Sequence, residues 1–97
     1  EQALTGAGAA DVTSMVTAFT TDTDNSGNNA VTLANGIAGQ LKILYTKVET
    51  TSGQTTVVTP TTLAGYSTIT FDAVGDCALL YYSAIGWVMI GGNATLA

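Results

Sequence analysis

The chain has no histidine, one cysteine, one proline and only two basic residues, Lys42 and Lys47. Each shortage removes a class of function. Without imidazole there is no Ser-His or Cys-His nucleophile and no histidine to hold a metal or shuttle a proton. With two lysines against seven acidic residues, the formal net charge is -5. The clustered cations that displace counterions from nucleic acid are therefore missing, and so is any attraction to an anionic membrane surface. Cys77 has no second cysteine to pair with, and its apolar neighbours mark it as a small buried hydrophobe. No apolar run approaches the ~20 residues of a membrane-spanning helix. The chain opens at Glu1 with neither a methionine nor a charged, apolar leader, which reads as a processed start or a piece of something longer.

What is present is apolar. Of 97 residues, 46% are hydrophobic and 9% are charged, where a soluble globular domain has about 25% charged. A single domain of this length hides only about two-thirds of the surface of its unfolded chain. That leaves more apolar surface than a lone monomer can cover, so the composition predicts self-association.

Turn signals recur along the chain, among them Asn35-Gly36, Ser52-Gly53, Gly75-Asp76 and Ile85-Gly86. Between them lie short segments rich in Thr, Val, Ile, Tyr and Leu, which suit a pleated surface. The spacing predicts strands near 12–20, 29–34, 40–49, 55–59, 67–72, 77–83 and 86–91. Val12, Met15, Val16 and Phe19 stand at helical spacing, but Thr13, Thr17 and Thr20 among them favour strand. The expected fold is all-β, a small antiparallel β-sandwich or barrel-like domain of about seven short strands over residues 12–97. Residues 1–11, rich in Gly and Ala, are expected to form a flexible N-terminal arm that orders against a neighbour.

Two segments are apolar on both faces. In "CALLYY" Cys77, Leu79 and Tyr81 alternate with Ala78, Leu80 and Tyr82; in "WVMI" Trp87 and Met89 alternate with Val88 and Ile90. A two-layer domain covers one face of each sheet, so the second face of this hairpin is expected to meet a partner subunit, through Leu80, Tyr82, Val88 and Ile90. The alternative is a central hairpin lying under a loop.

No catalytic residues are expected. The carboxylate pairs Asp22 with Asp24 and Asp72 with Asp76 could flank a glycosidic bond, but both sit in turns, where Asp bonds its own backbone. "GAGAAD" at 6–11 lacks the preceding strand and third glycine of a dinucleotide loop. "TDTDNSGNN" at 21–29 places Asp22, Asp24 and Ser26 at the first three ligand positions of a calcium loop, yet its twelfth position is Leu33 instead of glutamate. It reads as a turn, with weak calcium binding as the alternative; no metal or cofactor is expected. "NAT" at 93–95 is a formal glycosylation sequon of low specificity.

Three stretches, "LANGIAGQLKILY", "TPTTLAGYSTITFDAVGD" and "GWVMIGGN", carry a resemblance. The chain resembles, along nearly its whole length from "DVTSMVTAFTT" onward, a small β domain of virion proteins of tailed phages, especially those of cyanobacteria and marine bacteria. The matching features are Gly39-Gln40 opening a long strand, the turn Thr59 to Thr62, the strand Thr68 to Phe71, the turn Val74 to Asp76 and a final strand opening on Trp87. Cys77 and Tyr66 depart from the pattern. The resemblance implies a non-enzymatic structural unit located in the virion, as a capsid decoration, head fibre or tail fibre, commonly trimeric. The implied partners are other copies and the major capsid or other virion proteins. The alternative is a receptor- or glycan-binding module of a tail fibre or spike, with Tyr45, Tyr66, Tyr82 or Trp87 stacking on a host sugar; Trp87, opening an apolar strand, is expected to be core.

Overall fold

The computed structural model describes residues 1–22 and 28–97. Within them the chain is all-β: β1 Gln2–Thr5, β2 Gly8–Ala10, β3 Val16–Thr20, β4 Asn28–Leu33, β5 Leu41–Val48, β6 Thr55–Pro60, β7 Ile69–Phe71, β8 Cys77–Ser83, β9 Gly86–Gly92 and β10 Thr95–Leu96. They form two sheets of five, in the orders β1-β3-β5-β8-β9 (sheet A) and β10-β7-β6-β4-β2 (sheet B).

All seven expected strands are present, but the count is ten and the sheets are mixed. Up to β6 the chain alternates between sheets, and β1, β3 and β5 pair in parallel, as do β2, β4 and β6. This half is a flattened coil of three turns. The chain then reverses through 61–68, so that β7 lies antiparallel to β6, β8 antiparallel to β5, β9 to β8 and β10 to β7. An antiparallel reading assumed that each turn closes a hairpin. Here most turns instead carry the chain from one sheet to the other, and β8–β9 is the tight hairpin, with Gly86 at φ 106° where a side chain would be strained.

The segment expected to be an arm differs as well. β1 pairs Gln2–Thr5 with Thr17–Thr20, and β2 pairs Gly8–Ala10 with Val31–Leu33, so residues 1–11 form the first turn of the coil. Leu4 packs on the core and Ala10 belongs to it. Gly8 fits because a Cβ there would stand 3.0 Å from Leu4.

Alternation sets the interior. β4 buries Asn29, Val31 and Leu33 and exposes its other residues; β6 buries Thr56, Val58 and Pro60. From sheet A come Phe19, Leu44, Ala78, Leu80 and Trp87, all fully or almost fully buried. Phe19 meets Phe71 of the opposite sheet edge-on, with centroids 5.3 Å apart, joining the layers with an aromatic pair of favoured geometry. At the β9 edge, Trp87 donates its backbone N–H to the Thr62 carbonyl and accepts from Ala64 N–H. The loop thus covers the start of a strand that carries no charge or proline of its own to discourage edge pairing.

Candidate functional site

The two outer faces differ in chemistry. On sheet B the outward residues are Asn28, Ala30 and Thr32 of β4, Thr55, Val57 and Thr59 of β6, and Thr70 of β7, a threonine-rich surface suited to water. On sheet A, β5 turns Leu41, Ile43 and Tyr45 outward, β8 turns out Cys77, Leu79 and Tyr81, and β9 turns out Val88 and Ile90. Cross-strand pairs Ile43 with Leu79 and Tyr81 with Val88 make this one continuous apolar face. It is partly exposed throughout: Leu41 and Tyr81 are each 39% exposed and Ile90 is 55%.

Tyr45 shows how the face is smoothed. It pairs with Ala18, which pairs with Ala3, and its hydroxyl reaches the Glu1 carboxylate at 3.3 and 3.4 Å. The side chain therefore reaches from β5 toward the β1 edge, and Ala18 is buried on a nominally outer face. Desolvation, with the Glu1 charge second, raises the pKa of the Tyr45 phenol.

The predicted interface residues divide between the two faces. Leu80 is wholly buried between the sheets and Tyr82 packs on the core, edge-on to Trp87 with centroids 5.0 Å apart. Val88 and Ile90 do lie on the outer face. Pairing of Leu80 with Met89 and Tyr81 with Val88 fixes this: Val88 shares the outer face with Tyr81, one residue out of phase with Leu80 and Tyr82, and Ile90 falls at the register shift before Gly91, which pairs with Leu79. Trp87 is core, as its neighbours suggested, and donates its indole N–H to the Ala34 carbonyl at 2.9 Å.

The poles differ too. Where β3 and β5 begin and β8 ends, Met15, Ile37 and Ile85 stand exposed. At the opposite pole, around the ends of β3, β5 and β7, lie Asp22, Glu49, Asp72 and Asp76. Asp76 accepts the backbone N–H groups of Asp72 and Ala73 at 2.7 and 3.1 Å and bonds Asn93 at 3.3 Å. Its carboxylate is thus occupied by turn chemistry. Asp24 and Ser26 of the calcium-like loop lie outside the described residues; Asp22 donates its N–H to Asn29 Oδ1 at 3.0 Å. Among the described residues no three His, Cys, Asp or Glu side chains gather as metal ligands, and no pocket opens.

One charged side chain, Lys42, is buried beside a partly exposed carboxylate, and sequence reasoning missed it. Lys42 points inward from β5, fully buried, donating to the Ser14 carbonyl at 2.8 Å with Asp11 at 3.6 Å. Burial lowers the Lys42 pKa, opposed by the Asp11 charge. The Ser14 N–H, 2.8 Å from Asp11 Oδ1, lowers the Asp11 pKa, with Lys42 adding to it. With Gln40 Nε2 donating to the Val12 carbonyl at 2.5 Å, these contacts strap 11–15 over the end of the sandwich. Among the described residues no pocket opens beside the pair. Comparison with protein families, curated proteins and solved structures finds no match to this chain.

Proposed function

We propose that the protein is a structural component of a tailed-phage particle, a capsid decoration or head-fibre subunit that works by assembling, as a trimer, and by adhering to other virion proteins. One observation carries this reading: a small domain with a closed core keeps a second apolar layer on the outside of sheet A, while the outside of sheet B is lined by threonine. A protein that works alone in water has no use for such a face, because contiguous exposed apolar surface marks interaction sites. Permanent contacts of that kind resemble a domain core cut in half. The motifs around Gly39-Gln40, Thr59 to Thr62 and Val74 to Asp76 add the resemblance to virion β domains.

Localisation of the chain in images of the whole particle is the test. Density for the domain on the capsid supports the reading. Absence from the head, together with binding of the isolated chain to host cells or glycans, would replace it with a tail-fibre module.

A further inference from the structure

We infer that Asn35 is a site of spontaneous deamidation, the one asparagine among the described residues set to convert to aspartate and isoaspartate, and that the isoaspartyl form loosens the chain over Trp87. The inference is independent of the assembly reading above and survives its failure.

The asparagines are separated by what holds their amides. Asn29 is buried, accepts the Asp22 N–H at 3.0 Å and donates to the Thr55 carbonyl at 3.0 Å. Asn28 accepts the Thr55 hydroxyl at 2.5 Å, and both lie in β4, paired to β6. Asn93 accepts the Cys77 N–H at 2.9 Å and donates to Asp76 at 3.3 Å. Asn35 is exposed and lies between β4 and β5. Among the described residues neither its amide nor the Gly36 N–H makes a hydrogen bond. Asn35 is also the asparagine followed by glycine, whose backbone nitrogen has no side chain to crowd its approach.

The chemistry needs only water. The Gly36 nitrogen gives its proton to solvent and attacks Asn35 Cγ; the N–Cγ bond forms, the Cγ–Nδ2 bond breaks, and ammonia leaves with a proton taken from solvent. Water then opens the succinimide ring. Cleavage at Cγ leaves aspartate, whereas cleavage at the main-chain carbonyl leaves isoaspartate, whose backbone is longer by one methylene. Nothing is oxidised or reduced.

The loop has no slack for that methylene. On one side the Ala34 carbonyl accepts the Trp87 indole N–H at 2.9 Å. On the other, Ile37 N–H donates to Gln40 Oε1 at 3.0 Å, and Gln40 N–H returns to the Ile37 carbonyl at 2.9 Å. Gly36, between them, is so close to its neighbours that a Cβ would stand 2.9 Å from the Trp87 ring and 2.6 Å from Gln40 Oε1. A longer backbone must lift from the ring or release an anchor. Gln40 also holds the Val12 carbonyl of the strap, so the disturbance passes to 11–15.

The experiment keeps the full chain in warm, mildly alkaline buffer for days and maps its peptides by mass, beside Asn35→Gln, Asn35→Asp and a synthetic peptide spanning residues 33–40. Asn35 is expected to gain about one dalton as a mixture of aspartate and isoaspartate, taking the chain one charge below its formal -5, while Asn28, Asn29 and Asn93 stay intact. Asn35→Gln should lack the modified peptide. Emission from Trp87, the chain's single tryptophan, should move to longer wavelength in the purified isoaspartyl fraction. It should not move in Asn35→Asp, which adds the charge without the methylene. An Asn35 still intact when the synthetic peptide has converted shows that the fold shields the bond and refutes the site. Equal conversion at Asn28 or Asn93 refutes the ordering by hydrogen bonds, and an isoaspartyl fraction with unchanged emission refutes the coupling to Trp87.

Discussion

Leu80→Ala tests which way the β8–β9 hairpin faces. Leu80 is wholly buried, opposite Lys42 on one side and Met89 on the other. Truncation removes three carbon groups, about 2.4 kcal/mol of transfer free energy at ~0.8 each. The void adds about 1 kcal/mol for each ~40 Å³ that fails to collapse. The expected loss is about 3 to 4 kcal/mol; water reaching the Lys42 ammonium through the void sets the lower end. Against a total of roughly 5–15 kcal/mol for a domain of this length, that is a large fraction. Tm should fall by about 12–32 °C at ~4–8 °C per kcal/mol. Thermal and urea melts of both proteins at two concentrations measure it, and the shift should be the same at both. A loss below about 1 kcal/mol that grows on dilution would place Leu80 against a partner and refute the inward assignment. Leu79→Ala, one residue along and on the outer face, should show the reverse pattern.

Other outcomes follow from the same geometry. Deleting residues 1–11 should lower Tm substantially, because β1 and β2 cover the coil and the buried Lys42 loses Asp11; an unchanged melt would show that the first turn contributes nothing. The Asp11 carboxyl sits below its ordinary value, so its contribution is fully present above about pH 4, the unfolded range, and is lost as pH falls through the folded value. Acid titration followed by amide exchange at 12–15 should show the strap opening there, and Asp11→Asn should abolish that step. Gly92→Ala should destabilise strongly, since φ is 105° and a Cβ would meet the Cys77 carbonyl at 2.2 Å; a melt within a degree of the natural protein would contradict it. Chelator should leave Tm unchanged, because Leu33, at the calcium-loop glutamate position, is in the core; a drop reversed by calcium would make 22–27 a site.

Strands with one wet face were legible in the sequence: β4 reads Asn-Asn-Ala-Val-Thr-Leu and buries every second residue. β1 and β2 were not, because Gln-Ala-Leu-Thr and Gly-Ala-Ala carry little β signal and draw their order from parallel neighbours. The coil left no period, since its turns begin at residues 2, 16 and 41 and no repeat length recurs. Phase was hardest where both faces are apolar. In β5 the outward set Leu41, Ile43 and Tyr45 looks more like a core than the inward set Lys42, Leu44 and Thr46. Period-two reasoning points there to the wrong side. The same ambiguity sent Leu80 and Tyr82 outward on paper, when Leu79 and Tyr81 hold that place. Lys42 gave no sign of burial; its partner Asp11 lies in a loop far away in sequence.

The switch from parallel winding to antiparallel closure has a consequence for synthesis. Until residues 69–83 have emerged, β5 and β6 each lack the strand that flanks them on one side. A nascent chain that has emerged only as far as Pro60 would then display two raw edges beside a half-covered interior. Long-range pairing of this kind is slow and exposes aggregation-prone edges while it waits. The β8–β9 hairpin, local in sequence, can form by itself and dock as a ready-made lid, so the order of emergence makes the C-terminal third the step that commits the chain to its native state.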